Sequence, residues 1–171
     1  MQGDERPQRF IEQRIAFGNQ NYSDAHALAA ELADLIKERS DCLIVASTDL
    51  SHYHPYQDAN SIDKRTIDTL GRLKAKEFYD EAKMGQCELC GLMPVAASLL
   101  AAQILGYDKI KTLKYANSGD ITGDKAKVVG YLSAVIYKEG SRGMGQGSKP
   151  EEKQMLSEAQ RKRLLQIARE L

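Results

Sequence analysis

The most regular hydrophobic pattern in the chain lies at residues 25–39, where large apolar side chains recur at spacings of three and four. This spacing places them on one face of an α-helix, while polar residues occupy the other face. Ser23 precedes the segment and belongs to the residue types that cap helix N-termini. We therefore predict an amphipathic helix that begins after Ser23 and whose apolar face consists of Leu28, Leu32, Leu35 and Ile36.

A different pattern follows at residues 42–47, CLIVAS, where apolar positions run on almost without interruption. The run includes β-branched residues and is too short for a helix, which is typical of a strand buried on both faces. We expect it at the centre of a sheet, with Cys42 in the core. The polar and aromatic segment 48–56, TDLSHYHPY, is broken by Pro55 and is predicted to be a loop at the end of that strand.

Three further helices are predicted after this loop. Two of them, at 61–73 and 74–83, carry mixed charges with few apolar positions, so we expect them to face solvent. The third begins near Leu92 and is largely apolar; its Pro94 is tolerated only in the first turn of a helix. Cys90 is therefore predicted to lie at or near a helix N-terminus.

Two later segments predict a β-hairpin. Residues 109–116 alternate in polarity, and residues 127–138 are rich in β-branched and aromatic side chains. The stretch between them contains two Gly-Asp pairs, in which we expect Gly119 and Gly123 to supply positive φ angles. With a weaker strand predicted at 13–17, strands and helices intermix without strict alternation. This order predicts an α/β fold with a mixed β-sheet flanked by helices.

The composition changes sharply at the end of this region. Residues 139–155 are rich in Gly, Ser and charged residues, which predicts a flexible linker. Residues 156–171 show apolar positions at helical spacing, and Ser157 with Gln160 forms a capping-box pattern. We therefore expect one globular unit over 1–138, followed by a linker and a helix.

Charge and composition narrow the range of partners. Lys plus Arg equals Asp plus Glu at 24 each, so the chain has no excess charge with which to gather nucleic acid or an anionic membrane. No apolar run approaches the roughly 20 residues of a spanning helix, and the polar N-terminus lacks a signal-peptide pattern. We expect a cytoplasmic protein with reduced thiols, since its three cysteines make an odd count.

Asp49 and His52 are the first candidates for chemistry. They stand three residues apart in the loop after the predicted strand, where a carboxylate can orient an imidazole for proton transfer. The alternative is that Asp49 caps a turn and His52 is a polar loop residue. His54 completes a His-x-His pair that could in principle bind metal, but we interpret it as a surface residue. Asp120, in the hairpin turn, is a candidate hydrogen-bond partner of the site.

The cysteines are the second group of candidates. Cys87 and Cys90 form a single Cys-x-x-Cys, whereas a structural zinc site usually needs a second pair, and a redox pair would directly follow a strand. Cys90 by itself is more informative, because a helix N-terminus stabilises the thiolate, the form that ligates metals. The alternative for Cys90 is a small buried apolar residue.

Several strings resemble one protein family in order and spacing. They are STDLSHYHPY at 47–56, CGLMPVAASLLAA at 90–102, LKYANSGDITGD at 113–124 and VVGYLSAVIY at 128–137, together with GNQNYSDAHALAAELADLI at 18–36. These strings resemble the MEMO family, the B component of the AmmeMemoRadiSam system. The resemblance covers about residues 11–138.

The resemblance implies a fold and a site. The MEMO family is similar in fold to the class III extradiol dioxygenases, which have layered αβα architecture and open catechol rings with non-haem iron. By resemblance, Asp49 and His52 match the pocket's Asp-x-x-His, with His52 in the place of the acid/base histidine. Cys90 stands where the dioxygenases have a carboxylate iron ligand. The implied cofactor is iron or copper.

The chain departs from the family in one respect. Two further pocket histidines of the family come from an amino-terminal half, and no matching string is found here; His26 lies within the first predicted helix. We therefore expect 1–138 to be the carboxyl-terminal part of a MEMO-like domain, with a dioxygenase-related pocket that is catalytically incomplete. The alternative is a non-enzymatic metal-binding or protein-interaction module.

The resemblance also suggests partners. The predicted helix at 156–171 resembles the opening of an AMMECR-type domain, which would make a radical SAM or AMMECR-type protein a partner. If part of the sheet is uncovered, self-association is a further expectation.

Overall fold

The computed structural model describes residues 21–38 and 42–138. Their elements are α1 (Tyr22–Ile36), β1 (His52–His54), α2 (Tyr56–Gly71), α3 (Ala75–Lys83), α4 (Leu92–Ile104), β2 (Lys109–Asn117), α5 (Gly119–Thr122) and β3 (Val128–Tyr137). The predicted strand at 13–17, the linker at 139–155 and the helix at 156–171 lie outside the described residues.

The described strands form a three-stranded sheet in the order β1-β3-β2, and both pairings are antiparallel. The predicted hairpin is confirmed: β2 and β3 pair from Lys109 opposite Tyr137 to Asn117 opposite Gly130, with one irregularity between Thr112 and Lys114. The α/β class is therefore confirmed. A mixed sheet in αβα layers stays a prediction, because no described strand pairs in parallel.

The hairpin turn differs from its prediction. The chain between the strands forms the short helix α5, and Gly123 ends it with a φ of 78°. Gly119 lies outside the positive-φ region and is needed for space instead. A Cβ there would come within 2.8 Å of the Asp124 carbonyl oxygen and 2.9 Å of Val128 Cγ1.

The apolar core centres on the contact between α1 and α4. On α1 the fully buried residues are small, namely Ala25, Ala29 and Ala33. The predicted face was partly wrong, because Leu35 is exposed while Leu28 and Leu32 pack at the edge of the core. The cap also differs: Asn21, and not Ser23, caps α1 by accepting the Asp24 N–H at 2.9 Å. Alanines on this face let α4 approach closely.

The predicted central strand at 42–47 is not formed. Leu43 is 80% exposed and Val45 is 68% exposed, while Ile44 and Ala46 pack against the core. Cys42 is exposed as well, so its placement in the core was wrong. A strand requires a neighbouring strand for its backbone hydrogen bonds. Within the described residues the sheet consists of β1, β3 and β2, and none of these strands pairs with 43–47. The predicted self-association stays a prediction.

Helix α2 is less solvent-facing than its charged sequence suggests. It buries Asp63, Thr66 and Thr69 completely or almost so. Asp63 faces the sheet, whereas the hydroxyl groups of Thr66 and Thr69 bond to the Glu88 N–H and the Glu81 carboxylate. Asp63 Oδ1 accepts the Ser51 N–H at 2.9 Å, and Asp63 Oδ2 accepts the Tyr115 hydroxyl at 2.7 Å. Burial and then the Asp63 contact raise the pKa of Tyr115, so the phenol remains a donor to this carboxyl.

Within residues 21–38 and 42–138, every helix falls short of the length and apolar character that crossing a bilayer requires.

We predict that Gly130→Ala destabilises the fold, because a Cβ at residue 130 would overlap the Asp63 carboxyl group, with 2.6 Å to its Cγ. Crowding a packed interior costs about 1–3 kcal/mol. The measurement is urea-induced unfolding of the full chain followed by circular dichroism. Gly71→Ala is the matched control, since nothing lies within 4 Å of a Cβ there. Equal unfolding midpoints for the two variants would contradict the predicted crowding.

Candidate functional site

Asp49, His52 and Cys90 come together in space. One ligand atom from each of them lies within 4.8 Å of the other two, although Cys90 is separated from Asp49 by 41 residues. His52 Nε2 is 3.8 Å from Asp49 Oδ2. We call these three residues the Asp-His-Cys cluster. A carboxylate, an imidazole and a thiol at this spacing offer a donor set suited to a metal ion.

Backbone contacts hold the two halves of the cluster together. The Asp49 N–H donates to Cys90 Sγ at 3.3 Å, and the Cys90 N–H donates to the Asp49 carbonyl at 3.2 Å. Cys90 lies two residues before α4, which begins at Leu92 with Gly91 as its N-cap. The predicted position of Cys90 near a helix N-terminus is therefore confirmed.

Thr48 is a site residue that the sequence pattern did not single out. Its hydroxyl oxygen accepts the Gly91 N–H at 2.7 Å and donates to the Asp49 carbonyl at 2.8 Å. Gly91 lies so close that a Cβ there would be 2.6 Å from Thr48 Cβ and 2.8 Å from the Ser47 carbonyl oxygen. The start of α4 can therefore pack against this loop only with glycine at residue 91.

Strand β1 fixes the other side of the loop. The Leu50 N–H donates to the Gly130 carbonyl at 2.9 Å, and the Gly130 N–H donates to the Ser51 carbonyl at 3.0 Å. Leu50 is itself buried, which anchors the loop between the cluster residues Asp49 and His52. Segment 48–56 is thus partly a strand that pairs with β3, and not a loop throughout as predicted.

Glu88 joins the loop to the segment that carries Cys90. Its Oε1 accepts the His52 N–H at 3.0 Å, and its Oε2 lies 2.8 Å from His54 Nε2. The His54 side chain is 36% exposed, which agrees with its interpretation as a surface residue, and its ring also bonds to Glu88. No sequence signal pointed to Glu88, because an acidic residue between two cysteines is not distinctive.

The cluster is open to solvent on one side. Asp49 has 47% of its side chain exposed, and Cys90 is exposed. Tyr131 of β3 borders it: burial, and next the charge of Asp49, raise the pKa of the Tyr131 phenol. A depression lined by Ser61, Ile62, Arg65, Gly85, Gln86 and Glu88 does not include the cluster.

Two other candidates lie away from the cluster. Cys87 is buried, and burial raises the pKa of its thiol, whereas Cys90 is exposed. The two thiols of the Cys-x-x-Cys thus occupy different surroundings.

Asp120 accepts the Tyr56 hydroxyl at 2.7 Å and the Asn117 N–H at 2.8 Å, and the latter bond is the main cause of its lowered pKa. Asp120 shapes the hairpin turn, so its candidacy as a hydrogen-bond partner of the site is not supported.

Comparison with known proteins identifies the family of the chain. The family model for Memo-like proteins matches residues 14–135, which is most of the chain. The chain belongs to the Memo-like protein family. The match includes all three cluster residues.

Individual relatives give the same result. A MEMO1 family protein of Methanosarcina mazei is 37% identical over 123 residues, covering 71% of this chain and 46% of the relative. One of Methanocaldococcus jannaschii is 40% identical over 118 residues, covering 68% of this chain and 41% of the relative. A third, of Aquifex aeolicus, is 37% identical over 115 residues, covering 67% of this chain and 43% of the relative. The chain therefore matches less than half the length of each of these relatives.

We predict that Thr48→Val lowers the free energy of unfolding by about 1–3 kcal/mol, because it leaves the Gly91 N–H without its acceptor. Valine keeps the shape of threonine, so the effect isolates the hydroxyl. Thermal or urea unfolding measures it. The control is Thr122→Val in α5, because the Thr122 hydroxyl likewise donates to a carbonyl, that of Ser118 at 3.0 Å, and accepts an N–H, that of Asp124 at 3.2 Å, but in an exposed position. If both substitutions cost the same, Thr48 has no special role at the start of α4.

Proposed function

We propose that this chain is a Memo-like protein that binds a redox-active metal ion, iron or copper, at the Asp-His-Cys cluster. One observation carries the proposal: three potential ligand atoms of different chemistry lie within 4.8 Å of one another. Two direct hydrogen bonds, from the Cys90 N–H to the Asp49 carbonyl and from the Asp49 N–H to Cys90 Sγ, hold these two ligands next to each other before any metal binds. The three residues also lie within the segment that matches the Memo-like family, residues 14–135.

The donor types suit the proposed metals. A cysteine thiolate favours copper and iron, an imidazole binds both, and a carboxylate adds a harder ligand and a negative charge. A bound ion of this kind supplies one-electron chemistry. The open side of the cluster leaves room for a substrate or for further ligands, since Asp49 and Cys90 are both accessible.

The chain's own groups define what else the site can do. The three donors include one imidazole, and Asp49 Oδ2 lies 3.8 Å from His52 Nε2. His52 serves the proposed site as a ligand. The resemblance to dioxygenases instead assigns it proton transfer, and the two roles predict different results when the ring is removed. The layered αβα architecture of those enzymes is part of the same proposal.

A second candidate is a non-enzymatic metal-binding module. The exposure of the cluster favours it, because catalytic sites usually exclude water from the reacting atoms. The chain also covers less than half of its relatives, so we propose that the part of a relative that this chain does not match supplies the remaining groups of a reactive site.

We predict that the full chain binds one equivalent of Fe²⁺, or of Co²⁺ used as a spectroscopic probe, and that Cys90→Ser, His52→Ala and Asp49→Asn each weaken binding by at least about tenfold. Co²⁺ also reports thiolate ligation through its charge-transfer absorption. Cys42→Ser and His26→Ala are matched controls, because both residues are exposed and neither belongs to the cluster. Binding that survives loss of the Cys90 thiol would rule out this metal site. Full affinity in His52→Ala would favour the proton-transfer role.

Catechol turnover separates the two candidates. We predict that the metal-loaded chain alone does not consume oxygen with catechol, and that adding the unmatched part of the M. jannaschii relative as a separate polypeptide produces ring-opened product. An oxygen electrode and absorbance of the product measure both reactions. Oxygen consumption that is equal with Cys90→Ser would show that free metal, and not the cluster, performs the reaction. Absence of turnover in the mixture would favour the non-enzymatic module.

A further inference from the structure

Tyr53 has a backbone conformation that needs an explanation. It lies between His52 and His54 with a φ of 61°, in the left-handed region that bulky residues rarely adopt. Its side chain is 70% exposed, so packing of the ring does not hold it there. Such backbone strain persists only where the surroundings enforce it, and it concentrates at functional sites. Contacts made by the residues on either side of Tyr53 must therefore hold its backbone in this conformation.

The carboxylate of Glu88 contacts both sides. One of its oxygens accepts the His52 N–H at 3.0 Å, and the other bonds to His54 Nε2 at 2.8 Å. The pairing of β1 with β3 is irregular between the same two histidines. Glu88 thus holds residues 52 and 54 together, and the residue between them takes up the resulting backbone turn.

Glu88 is itself well anchored. Its N–H donates to the Thr66 hydroxyl at 3.2 Å, and Thr66 is completely buried in α2. Glu88 also stands two residues before Cys90 in the chain. His52 and Cys90 come from different segments of the chain. Because Glu88 is held in the protein interior and bonds to the His52 N–H, it fixes the position of His52 relative to the segment that carries Cys90.

We propose that Glu88 is a positioning residue of the Asp-His-Cys cluster: it holds the backbone at His52 so that the imidazole faces Cys90, and the strain at Tyr53 is the structural consequence. This inference rests on the proposed metal site for its functional meaning. Groups that orient metal ligands without touching the metal commonly change affinity by about 10- to 100-fold when they are removed.

Two substitutions at residue 88 separate geometry from charge. Glu88→Ala removes both contacts, and we expect it to weaken Co²⁺ binding by about tenfold or more. Glu88→Gln retains an oxygen that accepts the His52 N–H and an amide that donates to His54 Nε2. We expect Glu88→Gln to restore affinity to near that of the unsubstituted chain, together with its thiolate absorption.

Glu81→Ala is the matched control. Glu81 is also a partly buried carboxylate with two contacts, to the Thr69 hydroxyl and to Arg72 Nη1, both at 2.8 Å. We expect its loss to lower stability without changing Co²⁺ affinity. If Glu81→Ala weakens Co²⁺ binding as much as Glu88→Ala does, the effect is general and the positioning role is overturned. The same holds if Glu88→Ala binds Co²⁺ like the unsubstituted chain.

Amide hydrogen exchange of the metal-free chain tests positioning independently of the metal. We expect Glu88→Ala to accelerate exchange at the His52 and Tyr53 amides while the amides of α4 keep their protection, and we expect Glu88→Gln to preserve protection at His52. Unchanged exchange at His52 in Glu88→Ala overturns the inference. If the unsubstituted chain does not bind Co²⁺ through Cys90, the proposed function fails, while the exchange result still decides whether Glu88 positions His52.

Discussion

The described fold depends on the buried carboxyl group of Asp63. Burying such a group is costly unless its oxygens are hydrogen-bonded. Here one oxygen accepts the backbone N–H of Ser51 and the other accepts the hydroxyl of Tyr115, while Gly130 leaves the space that the group occupies. A single side chain of α2 thereby connects the cluster loop, β2 and β3. The position of Asp49 and His52 relative to the sheet follows from this contact, because Ser51 lies between them.

Local patterns in the sequence predicted the elements whose stability is local or nearly so. Apolar spacing predicted α1, and a largely apolar run with Pro94 in its first turn predicted α4. Alternation in β2 and β-branched and aromatic residues in β3 predicted the hairpin, whose strands are joined by a short connection. Local sequence also predicted that Cys90 lies near the start of a helix and that Asp49 and His52 share a loop. Both positions depend only on residues nearby in the chain. The family strings added that these three residues share a pocket, and the structure brings them within 4.8 Å.

What could not be predicted depends on contacts between distant residues. The bond from Tyr115 to Asp63 joins positions 52 residues apart, and the one from His52 to Glu88 joins positions 36 apart. Neither acidic residue differs in sequence from the many that face solvent. The CLIVAS segment shows the opposite error: its composition is that of a buried strand, but composition cannot supply the neighbouring strand that β-structure requires. Leu43 and Val45 are exposed as a result.

The contact between Gly91 and Thr48 has an evolutionary consequence. Any side chain at residue 91 would meet both the Thr48 side chain and the Ser47 backbone, so a smaller residue at position 48 relieves only part of the overlap. Position 91 is therefore closed to single-step change, whereas position 48 can vary among residues that still accept the Gly91 N–H. Sequence change along this stretch is therefore confined to position 48, while position 91 stays glycine because the backbone of residue 47 lies too close for any Cβ.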